Sequence, residues 1–145
     1  MAMVKIPYSI ISFCLLFYMP VAWAADITAS GGWYKSIDAD DLTGGAGSNL
    51  RDPLESGVSA TILNVTATVG WKVTAARTGG FKGGLSVKES GGGYVVIPES
   101  GANDFITKYS GNQSDIGCQY QLSGISINDA PGTLGETTVT YTVIE

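Results

Sequence analysis

Hydrophobic and polar residues alternate along much of this chain, and the alternation is longest between Val58 and Ala75. Val58, Ala60 and Ile62 hold one phase. Leu63, Val65, Ala67, Val69, Trp71, Val73 and Ala75 hold the other without a miss. Period-two spacing of β-branched and aromatic residues marks a half-buried strand. The run is long for one strand, so the pattern predicts two, near 58–68 and 71–77, divided at Gly70, with Trp71 in the core. The change of phase at Ile62-Leu63 is what a bulge, or an inward face changing sheets, would produce.

The C-terminal end repeats the pattern. Ile116, Cys118, Tyr120 and Leu122 share one face, and Val139, Tyr141 and Val143 share another. Asn128 to Gly132 between them is turn chemistry. The last run is therefore predicted to be a terminal strand of a sheet. Shorter strands are expected at Leu85–Lys88, at Tyr94–Ile97 before Pro98, and at Asp104–Tyr109. Residues 111–114, Gly-Asn-Gln-Ser, should turn the chain into its C-terminal runs. From Ala25 to Asp38 an extended segment keeps Ile27, Ala29, Trp33 and Ile37 in phase. Gly31-Gly32 imply a bulge, a bend or a break there. Asp38 to Pro53 reads as a loop, with too little apolar content for a strand.

No window sustains helical spacing. Eight or so short strands between Gly, Pro, Asn and Asp turns point to an all-β fold. The uneven connections favour a single Ig-like antiparallel β-sandwich over an up-and-down barrel.

The first residues are not expected in that fold. Lys5, an apolar run from Ile6 to Tyr18 and the small-residue pattern Ala22-Trp23-Ala24 have the layout of a secretory signal. An uncleaved membrane anchor is the alternative. The expected division is a signal peptide over 1–24 and a β-sandwich over 25–145, with no later span. Export to the periplasm, cell surface or extracellular space follows. With Lys5 gone, the 8 basic residues become seven against 13 acidic ones, a net charge of −6. An acidic domain without a basic run is a poor match for nucleic acid or anionic lipid. Cys14 would leave with the leader. Cys118, in phase with the apolar face of its strand, reads as a buried thiol.

Candidate chemistry is thin. The chain has no histidine, which removes Ser-His-Asp and Cys-His nucleophile systems and imidazole metal sites. Neither G-x-S-x-G nor S-x-x-K occurs, and the acids show no spacing that singles out a glycosidase pair. No catalytic residue and no cofactor is expected, and the protein reads as a non-enzyme. Asp38, Asp40, Asp41 and Asn49, in a glycine-rich loop, are a calcium candidate against the plainer reading of a polar loop. Trp33 and Tyr34 are adjacent, so one of them must face away from the core and could stack on a sugar or another ligand. Asn64-Val65-Thr66 and Asn112-Gln113-Ser114 match the glycosylation pattern, with Asn64 poorly placed in mid-strand.

Two resemblances add to this. Leu42-Thr43-Gly44-Gly45-Ala46-Gly47-Ser48-Asn49-Leu50, Trp71-Lys72-Val73 and Gln119-Tyr120-Gln121-Leu122-Ser123-Gly124-Ile125-Ser126-Ile127 resemble a group of uncharacterised exported bacterial sandwich proteins. That resemblance implies fold and export. The ending, Ala130-Pro131-Gly132-Thr133 through Val139-Thr140-Tyr141-Thr142-Val143, resembles spore-coat-U-like and chaperone–usher pilin domains. It departs from them in having Ile144, not Tyr, next to last, and no partner for a subunit disulfide. It implies a surface-assembly subunit whose partners, copies of itself or other subunits, add a strand to an incomplete sheet. The segment with Ile27, Ala29 and Trp33 is then either the donor or the domain's own first strand.

Overall fold

The computed structural model describes residues 25–126 and 135–145. The expected leader and the turn at 128–132 lie outside the described residues. Nine strands form among the described residues: β1 (Asp26–Gly31), β2 (Leu54–Glu55), β3 (Thr61–Thr66), β4 (Gly70–Thr78), β5 (Gly84–Glu89), β6 (Val95–Val96), β7 (Asn103–Ser110), β8 (Gln113–Ser123) and β9 (Thr138–Ile144). The one helical turn among the described residues is a 3₁₀ turn at Ala39–Asp41. No described helix is long and apolar enough to cross a membrane.

The strands make two antiparallel sheets packed face to face, the β-sandwich that the alternation predicts. The larger runs β1-β3-β8-β5-β6, with β2 also paired to β8; the smaller runs β7-β4-β9. Both long alternating runs serve this arrangement. Leu63 and Val65 of β3, with Cys118 and Tyr120 of β8, bury the inner face of the large sheet. Trp71, Val73 and Ala75 of β4 bury the inner face of the small one. A second, smaller cluster joins Leu50, Leu54, Leu122 and Ile125.

Two boundaries differ from the sequence reading, and two expected irregularities are present. Val58 to Ala60 is not strand: the Ala60 N–H bonds to the Gly57 carbonyl at 3.2 Å, and the turn leaves Val58 66% exposed. Close to the phase change at Ile62-Leu63 the register against β8 shifts between Leu63 and Val65, the bulge-type irregularity that was one of the two expectations. The expected turn at 111–114 is shorter, because β8 begins at Gln113. The extended N-terminal segment breaks at Gly31, one of the outcomes expected there; its φ of +95° suits glycine, and a Cβ there would lie 2.5 Å from the Ala60 carbonyl oxygen. Beyond its 3₁₀ turn, the loop from Asp38 holds an isolated bridge, Leu42 to Leu50, and Leu50 is buried. The apolar count over the loop gave no sign of that anchor.

Candidate functional site

β9 is the centre of the site. It pairs with β4 through an unbroken register from Lys72↔Ile144 to Thr78↔Thr138. Among the described residues it pairs with no strand on its other side. Alternation sorts its side chains. Val139, Tyr141 and Val143 turn inward and are half-buried, whereas Thr138, Thr140 and Thr142 face outward and are exposed.

A cleft of about 930 Å³ opens beside this edge, between the two inner faces. Trp33, Phe81, Tyr120, Leu122, Val139 and Tyr141 are among its walls. It lies where the edge strands of the two layers, β1 and β9, come together: Ala29 and Gly31 line one side, and Thr138, Val139 and Tyr141 the other. Hydroxyls tie the layers together beside it. Thr61 Oγ1 and the Tyr120 hydroxyl are 2.8 Å apart, and the Tyr120 and Tyr141 hydroxyls are also 2.8 Å apart. Burial, then the neighbouring Tyr120, pushes the Tyr141 phenol far above its ordinary range. It stays a neutral hydrogen-bonding group. Arg77 crosses between the layers: its guanidinium bonds Glu99 at 2.9 Å and the Gly83 carbonyl at 3.2 Å, and lies 5.6 Å from the centre of the Phe81 ring.

The structure resolves the Trp33-Tyr34 question. Trp33 turns in and lies parallel to Tyr120, ring centres 6.5 Å apart. Tyr34 turns out and is 90% exposed. Both line the cleft, which the sequence placed nowhere. Lys35, next in line, holds the Asp41 carboxylate at 2.7 Å. That contact, more than any other, keeps the Asp41 carboxyl below its ordinary range.

Among the calcium candidates, Asp38 and Asp41 each turn one carboxylate oxygen to the loop's own backbone. Asp38 Oδ1 accepts from the Asp40 N–H at 2.9 Å, and Asp41 Oδ2 accepts from the Asp38 N–H at 3.0 Å. Asn49 gives its carbonyl to the Thr43 N–H at 2.8 Å and the Thr43 hydroxyl at 3.0 Å. Among the described residues no group of three or more His, Cys, Asp or Glu side chains is placed to hold a metal ion. Cys118 is fully buried, and burial, then nearby Glu89, pushes its thiol up to about 12. Asn64 Oδ1 accepts from the Asp115 N–H at 3.0 Å, and Asn112 Oδ1 accepts from the Ala67 N–H at 3.0 Å. Both side chains of the glycosylation pattern thus carry strand contacts.

The fold and this site define a class: an all-β sandwich in which, among the described residues, the β9 edge of the smaller sheet lies beside an aromatic-lined cleft. Comparison with protein-family models, curated proteins and solved structures gives no match.

Proposed function

We propose that this chain is an exported, non-enzymatic surface-assembly protein, a pilin- or coat-like subunit, that accepts an added strand at the outer edge of β9. One observation carries the reading: β9 is an uncharged edge with an unbroken register to β4, and it borders a cleft walled in part by aromatic side chains. An extended segment laid there would gain main-chain hydrogen bonds from β9 and seat alternate side chains in the cleft. The resemblance of the chain's ending to pilin and spore-coat-U-like domains points the same way. The pairing of Asp26–Gly31 with β3 along its whole length favours that segment as the domain's own first strand over a donor to a neighbour.

The test follows the tagged protein in its own host. The expected result is protein in high-mass envelope assemblies that heating in detergent dissolves. Replacing both Thr140 and Thr142 with lysine should leave a folded chain that no longer enters them. Protein recovered solely as free monomer, or assemblies indifferent to the two lysines, would overturn the reading.

A second reading has one observation in its favour, the full exposure of Tyr34 at the rim of the cleft. On that reading the domain binds a carbohydrate or other ligand, with Tyr34 and Trp33 as stacking surfaces. Binding on a glycan array that Tyr34→Ala abolishes would support it; an array blank at millimolar ligand would remove it.

A further inference from the structure

We infer that the β9 edge pairs with the β9 edge of a second copy of this chain, antiparallel, about a two-fold axis through Tyr141. The inference rests on reading β9 as the working edge and goes on to name its partner. The carrying observation is the order of side chains. Val139-Thr140-Tyr141-Thr142-Val143 reads the same in both directions. Two antiparallel copies centred on Tyr141 therefore set Val139 against Val143, Thr140 against Thr142, and Tyr141 against itself. Such matched β-branched and aromatic pairs are favourable cross-strand neighbours. A two-fold contact needs one patch complementary to itself, and this strand meets that condition.

Charge points to the same partner. The chain carries a net charge of −5, which keeps copies apart over most of their surface. From Thr137 to Ile144 there is no charged residue, so copies meet there with least repulsion. Centring on Tyr141 also separates the two Glu145 side chains by about 27 Å at the strand rise of about 3.4 Å. Each Glu145 instead comes opposite Thr137 of the other copy, and the repulsion left between the two acidic chains is screened by salt. The product is one six-stranded layer, β7-β4-β9-β9-β4-β7. Its inner face aligns the half-buried Val139, Tyr141 and Val143 of both copies at the mouths of their clefts.

Sedimentation of the exported protein, over about 1 to 500 µM, tests this. The expected result is a reversible monomer–dimer equilibrium that tightens as salt rises. Thr140→Lys and Thr142→Glu lie on exposed positions and should leave the melting temperature nearly unchanged. Each alone should weaken the dimer about tenfold or more. In the double variant the new lysine of each copy faces the new glutamate of the other, twice across the axis. That pairing should restore the dimer to within about threefold of wild type. A wild-type chain monomeric throughout, or folded single variants that the double does not rescue, would overturn the two-fold pairing. If those results came with edge-dependent envelope assembly intact, the surface-assembly reading would stand with another partner. Loss of edge dependence in the envelope would sink that reading separately.

Discussion

The small sheet has two edges, and they are built differently. Against β4, the register of β7 shifts twice, between Trp71 and Val73 and again between Val73 and Thr74. β7 also carries Asp104, ion-paired to Lys72 at 3.0 Å. β9 meets the opposite side of the same strand without a shift, and holds no charge, proline or glycine. Bulges, charge, proline and brevity are how sheet edges are made unfit for further pairing. The large sheet uses them too: β6 is two residues long and Pro98 follows Ile97, while β1 carries Asp26. Of these four edges, the one without such a device borders the cleft. That coincidence ties the fold to the proposed assembly.

The largest effect expected from breaking this comparison is on the β7 side. Trp71 is 4% exposed; its indole N–H donates to the Gly111 carbonyl at 2.7 Å, and its ring sits 5.5 Å from that of Tyr109. Trp71→Ala removes a core side chain and strands that carbonyl, at a cost of about 3–5 kcal/mol in urea unfolding. A loss below about 1 kcal/mol would mean that β7 is held by something else.

Tyr141→Phe tests the β9 side and should cost less, about 1 kcal/mol, because Tyr120 keeps its bond to Thr61. It also has a pH signature. The folded state holds the Tyr141 proton far more tightly than the ordinary phenol value near 10. The stability tied to that proton is therefore fully present below about pH 10 and declines as pH rises above it. Tyr141→Phe should make the alkaline loss of stability shallower by up to about one proton. A residual slope remains from Tyr94 and Cys118, both pushed up to about 12. An unchanged slope would mean that the phenol is not buried in the folded protein.

Sequence and structure meet best where side chains alternate. The parities of β3, β4, β8 and β9 are legible from Leu63–Val65, Trp71–Ala75, Cys118–Leu122 and Val139–Val143, because a strand with one wet face must alternate. Trp33 and Tyr34 followed from the same rule. What the pattern could not carry was the third dimension. Alternation says which way Tyr120 and Tyr141 point, not that β8 and β9 belong to different layers whose hydroxyls meet. Val58 kept the phase of a strand but lies in a turn, since a local hydrogen bond from Ala60 to Gly57 prevailed over a weak periodic signal. The edges were least legible. That the last run ends a sheet was expected and holds for β9; that β1, β6 and β7 would be the other ends, and that a cleft would lie beside β9, no residue records.

The smallest effect concerns what defends β7. The Lys72–Asp104 pair is about half exposed on both sides, and such pairs contribute about 0–1 kcal/mol. Asp104→Thr should therefore barely change stability. Its value lies in a chain that already carries Thr140→Lys, so that β9 is closed to partners. The change removes the carboxylate of β7 but leaves Lys108 and its two register shifts. If irregular geometry is the main defence, that double variant stays monomeric in sedimentation at every concentration. If it associates again, charge alone was keeping β7 apart. The contrast between the two edges would then come down to one carboxylate, and the unbroken register of β9 would lose its standing as the reason that edge is open.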